Sequence, residues 1–116
     1  VKEERIIQLL QQKDKRVIAI LYDQYSPALY GVILRIVRSE EIAEDVLQDS
    51  FVKIWKSADR YDQKKAKLFT WLLNIARNTA IDATRSAHYK YSRNYGNRLV
   101  IPSEAEEGIY GGTTEN

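Results

Sequence analysis

The feature that most constrains the fold of this chain is the near absence of helix-breaking residues from its first 94 positions. That part contains one glycine, Gly31, and one proline, Pro27, whereas residues 95–116 hold the other four glycines and the second proline. Apolar residues in the first part recur at the spacing of amphipathic helices, and no segment alternates like a strand. The sequence therefore predicts an all-α domain over residues 1–94, a compact bundle of about four to five helices, followed by an irregular interdomain linker or tail over residues 95–116.

Local signals divide the first part into helices. We expect a short helix in KEERIIQLLQQ and a second helix that begins with KRVIAILYDQY. Pro27 marks either a kink or a fresh start with Ser26 as N-cap. Ser39 is the predicted N-cap of EEIAEDVLQDSFVKIWKSA, and the polar loop DRYDQKKAK follows that helix. The last helix should begin near Leu68–Thr70 and run to about His88 or beyond.

Composition excludes several classes of protein. The 116 residues include no cysteine, so neither disulfides nor thiolate metal sites are available, and this fits a reducing cytoplasm. No apolar run approaches the roughly 20 residues of a membrane span, and no signal peptide is evident. The single histidine, His88, has no Glu-x-x-His pairing, and no glycine-rich phosphate motif or activated nucleophile occurs. We predict a cytoplasmic protein without membrane contact, cofactor, metal ion or catalytic residue.

Charge is segregated along the chain. Residues 39–50 carry five carboxylates and no basic residue, whereas residues 57–98 carry nine basic residues against three acidic ones. Such segregation indicates two partners of opposite charge. Solvated helix faces would also produce it, and composition alone does not separate the two interpretations.

The last helix divides into an apolar and a polar side at 100° per residue. The predicted core side comprises Phe69, Leu72, Leu73, Ala76, Thr79, Ala80 and Ala83. The opposite side carries what we call the polar row, namely Asn74, Asn78, Asp82 and Arg85. Arg77 flanks this row, and Trp71 either lies toward it or is tucked inward. Amides, guanidinium groups and a flat aromatic ring are suited to reading nucleic-acid bases.

The loop before that helix adds positive charge. We call residues 59–67 the basic loop. Its candidate phosphate contacts are Arg60, Lys64, Lys65 and Lys67. Tyr61 is a candidate stacking surface for a base. The alternative is that Tyr61 and Trp71 are core or rim aromatics and that the asparagines are merely solvated.

The acidic helix also has two sides. Its predicted exposed side, which we call the acidic stripe, comprises Glu41, Asp45, Asp49, Val52 and Lys56, with Gln48 and Trp55 at its edge. Its predicted core side comprises Ala43, Val46, Leu47, Ser50, Ile54 and Ala58. Carboxylates and an amide around an exposed valine are suited to binding a basic partner helix, although a solvated stripe gives the same pattern.

These segments together resemble region 2 of the bacterial RNA polymerase sigma factors of the sigma-70 family, and most of all its extracytoplasmic-function (ECF) group. AEDVLQDSFVKIW is similar to the polymerase-binding helix of that family, FTWLLNIARNTAID to its promoter-reading helix, and LYDQYSPALYGVILRIV to its opening core helices. The resemblance covers roughly residues 3–90 in the correct order.

The resemblance implies two binding surfaces. The acidic helix would dock on the clamp helices of the polymerase beta-prime subunit through Asp45, Gln48, Asp49, Val52 and Trp55, with Phe51 at or just behind that surface. The loop and last helix would separate the strands of the promoter minus-ten element and capture bases of the non-template strand. The implied DNA-binding residues are Tyr61, Lys64, Lys65, Lys67, Trp71, Asn74, Arg77, Asn78, Asp82 and Arg85, with Asn78 and Asp82 on the base-reading side.

The resemblance also has departures and limits. YDQKKAK has no glycine where many relatives carry one, and nothing after residue 90 resembles the helix-turn-helix domain of the family. We therefore expect a fragment that ends in the interdomain linker. An anti-sigma factor is an expected further partner, because such proteins cover these same faces in the family. The alternative function is a protein-interaction module that binds polymerase or an anti-sigma factor without reading DNA.

Overall fold

The computed structural model describes the backbone of residues 2–95 and the side chains of residues 2–86. This part of the chain is all-α, as predicted. It contains α1 (Glu3–Gln11), α2 (Arg16–Val37), α3 (Glu40–Lys56) and α4 (Leu68–Tyr95), with one 3-10 turn at Ala58–Arg60. The chain divides into two compact units, Val1–Ala83 and Thr84–Asn116. The predicted linker, apart from the end of α4, lies outside the described residues.

The hydrophobic core belongs to the first unit. α1 packs against α2 and the 3-10 turn, and α2 packs against α3. The predicted core side of α3 is confirmed, since its members are all buried, namely Ala43, Val46, Leu47, Ser50, Ile54 and, in the 3-10 turn, Ala58. In α2, the fully buried side chains lie four or eight residues apart along one face, at Val17, Leu21, Leu29 and Ile33. This regular stripe is what aligns α2 along the bundle.

The start of α4 corrects one core assignment. Leu72, Ala76, Thr79 and Ala80 are buried as predicted, but Phe69 is 40% exposed. Its ring stacks on Tyr25 of α2, with centroids 6.1 Å apart and planes 30° apart. Leu68, the first residue of α4, is fully buried instead. Phe69 lies at the edge of the apolar arc, so the large ring covers the rim of the core rather than entering it.

Pro27 lies inside α2 without ending it. The alternative of a new helix capped by Ser26 is therefore wrong. An interior proline costs about 3 kcal/mol because it removes a hydrogen bond and crowds the preceding turn. Burial of Leu21 before it and of Leu29 and Ile33 after it holds one continuous helix across this defect.

By length and composition, α2 is also apolar enough to cross a membrane, with a mean hydropathy of 1.3 over its most apolar window. The expectation that no apolar run approaches that length thus needs correction for residues 16–37. A central helix of a soluble bundle passes the same test. α2 contacts both α1 and α3 in the described part of the chain, and 22% of that apolar window is buried.

The turns that close α1 and α2 use left-handed residues other than glycine. Lys13 has φ 57° and Arg38 has φ 59°. The Arg38 amide donates to the Leu34 carbonyl oxygen at 2.8 Å and ends α2. The next residue begins α3 as predicted, because Ser39 Oγ accepts a hydrogen bond from the Ile42 amide at 3.2 Å. The short connection between α2 and α3 is thus fixed at both ends.

Candidate functional surfaces of α3 and α4

The acidic stripe is exposed along its whole length. Asp45 and Asp49 point to solvent, and neither forms an ion pair within residues 2–86. Val52 is 51% exposed between them and the end of α3. Unpaired carboxylates beside an exposed β-branched side chain leave both charge and apolar area available to a partner.

An apolar groove runs beside the acidic stripe, between α2 and α3. Its cavity of about 440 Å³ is lined by Lys15, Ile18, Tyr22, Gln48, Phe51, Val52 and Trp55. Tyr22 is 48% exposed, and its ring centroid lies 5.1 Å from that of buried Phe51. The groove therefore joins Gln48, Val52 and Trp55, three of the predicted partner contacts, to a tyrosine of the neighbouring helix.

Sequence reasoning missed Tyr22 as part of this surface. A second hollow of about 340 Å³ continues past Tyr22 and Gln48, and it is lined also by Ser26, Pro27, Tyr30, Glu44 and Leu47. Burial, with Glu40 and Glu44 nearby, raises the pKa of the Tyr30 hydroxyl. The available signal was that Tyr22 directly follows a core position of α2, so its side chain points away from the α2 stripe.

Trp55 is held in place by a residue from the turn after α1. The Lys13 ammonium lies 5.0 Å from the centroid of the Trp55 ring. It also donates to the Lys56 carbonyl oxygen at 3.3 Å and lies 3.9 Å from a carboxylate oxygen of Asp59. Trp55 is therefore partly buried at the edge of the acidic stripe, with its ring fixed by a cation–π contact.

The polar row is likewise open to solvent in the part that belongs to the first unit. Asn74, Asn78 and Asp82 are exposed on α4, and Arg77 beside them is exposed too. Within residues 2–86 none of these side chains forms a hydrogen bond or ion pair to another protein group. Arg85 lies in the second unit and is exposed there. The amides of the row are thus free to bond to an external ligand.

Tyr61 does not have the role that the sequence indicated. Its side chain is 4% exposed, so its ring offers no stacking surface. The hydroxyl donates to the Ala66 carbonyl oxygen at 2.8 Å, and the ring lies 5.0 Å from that of Trp71. Burial raises the pKa of Tyr61, and the carboxylates of Glu3 and Asp62 raise it further. Trp71 is itself only partly exposed, since it packs on the core from the edge of the polar row.

The lysines of the basic loop are open to solvent. Lys64, Lys65 and Lys67 are all exposed, and none forms an ion pair in the described part of the chain. No cluster of three potential metal ligands occurs within the described residues. The groups that these surfaces present to a partner are charges, side-chain amides and apolar area.

The Sigma-70 region 2 family model matches residues 21–89, so the chain belongs to the sigma-70 family and contains its region 2. Its similar proteins fall in the ECF group.

The ECF RNA polymerase sigma factor SigK of Mycobacterium sp. (strain KMS) is 33% identical over 100 residues, covering 84% of this chain and 51% of the relative. SigK of Mycobacterium tuberculosis (strain ATCC 25177 / H37Ra) is 28% identical over 92 residues, covering 78% and 49%. The chain thus spans about half the length of the curated relatives it matches.

A solved structure shares the fold. It is the NMR structure of an engineered region 2 of sigmaE in complex with GTAAAA, with a TM-score of 0.66 and 25% sequence identity. The similarity covers 83% of this chain and 95% of the sigmaE chain. The all-α region 2 fold predicted from the sequence is therefore confirmed.

Proposed function

We propose that this chain binds the beta-prime clamp helices of core RNA polymerase through α3 and captures non-template bases of the promoter minus-ten element through α4 and the basic loop. It would act in the cytoplasm as part of a transcription initiation factor and not as an enzyme. The observation that carries the proposal is the unpaired, exposed polar row on a fold shared with a sigmaE domain bound to GTAAAA.

The polymerase contact is supported by charge and by shape. Asp45 and Asp49 have no partner of their own among the described residues, so binding a basic helix breaks no intramolecular ion pair. The groove beside them accepts an apolar side chain between Tyr22 and Val52. A partner helix with basic residues opposite the stripe and an aliphatic residue opposite the groove satisfies both features.

The DNA contact is supported by the free amides of α4. Asn78 offers one donor group and one acceptor group, which match the edge of an unpaired base. Asp82 repels phosphate, so its place in the row fits acceptance of a hydrogen bond from a base amino group. The exposed lysines of the basic loop supply affinity that is independent of sequence and sensitive to salt.

The polymerase proposal is tested by Asp49→Arg, measured by binding to a purified beta-prime clamp-helix fragment. We expect a loss of about 10- to 100-fold, since the substitution removes an attraction and adds a repulsion, together roughly 1.4–2.8 kcal/mol. Glu4→Arg is the matched control, because Glu4 is an exposed carboxylate on α1, away from the stripe. Equal affinities for the wild type and Asp49→Arg would refute this assignment of the stripe.

The DNA proposal is tested by Asn78→Ala with fluorescent single-stranded oligonucleotides. We expect a base-dependent loss of about 1–3 kcal/mol, the value of a good amide–base pair. Gln11→Ala, at the exposed end of α1, removes a side-chain amide from a different helix. A chain that binds the clamp helices but no single-stranded DNA would instead favour the interaction-module alternative. An anti-sigma factor covering α3 and α4 remains a proposal under either result.

A further inference from the structure

We infer that Tyr61 and Asp62 hold the basic loop in its base-capturing shape before DNA is bound. This inference rests on the proposed DNA function, and it assigns both residues as positioning residues. Neither needs to touch a base, and the buried Tyr61 ring is not available to do so.

Two side chains close the loop on itself. The Tyr61 hydroxyl reaches across five positions to the Ala66 carbonyl oxygen at 2.8 Å. Asp62 Oδ1 accepts from the Lys64 amide at 2.9 Å, and the Asp62 carbonyl oxygen accepts from the Lys65 amide at 3.0 Å. These bonds close residues 61–66 into a turn and leave Lys64 and Lys65 exposed at its tip.

The loop achieves this shape without glycine. Within the described residues, the non-glycine positions with positive φ are Lys13 and Arg38, and neither lies in residues 59–67. No backbone position of the loop therefore needs the left-handed conformation that glycine favours. The side-chain hydrogen bonds define the turn instead, which is the usual effect of an Asp followed two residues later by a bonded amide.

Tyr61 also joins the loop to the reading helix. Its ring lies 5.0 Å from that of Trp71, which precedes Asn74 by about one turn of α4 and Asn78 by about two turns. The Tyr61 hydroxyl is protonated at neutral pH, as tyrosine ordinarily is, so it can donate to the Ala66 carbonyl oxygen. The distance between the lysine tip and the polar row is thus fixed through one buried side chain.

A preformed loop binds more tightly because it loses less conformational freedom when the base enters. Tyr61→Phe removes only the hydroxyl and keeps the ring against Trp71. Asp62→Ala removes the turn acceptor, whereas Asp62→Asn keeps an acceptor oxygen and makes the same change in charge. The comparison of Asp62→Ala with Asp62→Asn therefore isolates the turn from electrostatics.

The test measures the affinity of residues 1–116 for fluorescent GTAAAA and for a randomised pool of hexanucleotides. The hexamer that binds best is then measured again in six forms, each with an abasic site at a different position. The position whose abasic form binds the wild type most weakly marks the captured base. We expect Tyr61→Phe to weaken binding of the intact hexamer about 3- to 10-fold and to have little effect once that base is missing. Asp62→Ala should show the same pattern, and Asp62→Asn should resemble the wild type.

Three results would overturn the inference. The first is a Tyr61→Phe chain that binds every oligonucleotide as the wild type does. The second is a loss of equal size on the intact and abasic hexamers, since general destabilisation acts on both alike. The third is a loss of hexamer affinity in Asp62→Asn as large as the loss in Asp62→Ala. Failure of the wild type to bind any hexamer at concentrations up to the order of millimolar would instead refute the proposed DNA function, and unchanged affinity for the clamp-helix fragment reports that each variant is folded.

Discussion

Lys13 combines an unfavourable backbone conformation with favourable side-chain contacts, so two substitutions there should have different effects. Its φ of 57° is left-handed, which costs an L-residue roughly 1–2 kcal/mol. Its ammonium contacts the Trp55 ring, the Lys56 carbonyl oxygen and the Asp59 carboxylate. Lys13→Ala removes the contacts and keeps the strain, whereas Lys13→Gly removes both.

The contacts set the expected magnitude. A cation–π contact at an exposed site contributes about 0.5–1 kcal/mol, an exposed ion pair about 0.2–1 and a hydrogen bond about 0.5–1.5. Because one ammonium makes all three, their sum overstates the total, and we expect Lys13→Ala to cost about 1–2 kcal/mol. Glycine relieves the left-handed strain, but it also has greater conformational freedom in the unfolded chain, which offsets part of that gain. We therefore expect Lys13→Gly to be about 1 kcal/mol more stable than Lys13→Ala.

The assay is urea unfolding of the wild type and both variants at low and at high salt. High salt should reduce the difference in unfolding free energy between the wild type and Lys13→Ala, because salt screens the ion pair. High salt should leave the difference in unfolding free energy between Lys13→Gly and Lys13→Ala unchanged, because that difference comes from backbone conformation and not from charge. If Lys13→Ala were as stable as Lys13→Gly, the reasoning about left-handed strain would be refuted. If Lys13→Ala were as stable as the wild type, the reasoning about the side-chain contacts would be refuted.

Three further predictions concern stability. Ser39→Ala should cost about 1 kcal/mol in urea unfolding by removing the α3 cap, and Ser39→Asp should retain most of the stability, since Asp also caps well. Gly31→Ala should raise the melting temperature by a few degrees, because nothing lies within 4 Å of the added methyl group and glycine weakens a helix interior by about 0.5–1 kcal/mol. The hydrogen bond from Arg16 lowers the pKa of Asp14 from 3.8 to about 2. Because the pKa of Asp14 is lower in the folded chain than in the unfolded chain, its ionised carboxylate stabilises the folded state above pH 3.8. This stabilisation is lost as the pH falls toward about 2. The urea midpoint of the wild type should therefore fall more steeply with decreasing pH than the midpoint of Asp14→Asn. Parallel plots of midpoint against pH for the two proteins would contradict this prediction.

Features with local causes were predictable from the sequence. The apolar spacing of α3 identified its core and its exposed stripe, and a serine before two glutamates identified the cap at Ser39. The family resemblance then gave the fold. These signals are local because a helix end or a helix face depends on residues within a few positions.

Features that depend on distant residues were not predictable. Tyr61 is buried because it meets Trp71 and the Ala66 carbonyl oxygen, and no periodic pattern covers a loop. Lys13 reaches Lys56 from 43 positions away. Tyr22 becomes part of a groove only when α2 lies beside α3. The individual assignments of polymerase and DNA contacts on these surfaces stay predictions.

The acidic stripe and Asn74, Asn78 and Asp82 are carried by one compact unit, Val1–Ala83. Under the proposed function, a molecule anchored by α3 to polymerase would therefore keep these residues of α4 close to a DNA strand held by the same enzyme. Tethering of this kind gives local concentrations on the order of millimolar. A DNA surface with a dissociation constant near that value would be roughly half occupied there and nearly empty on free DNA in the cell. Weak binding by the isolated chain would then limit promoter contact to molecules that polymerase has already recruited.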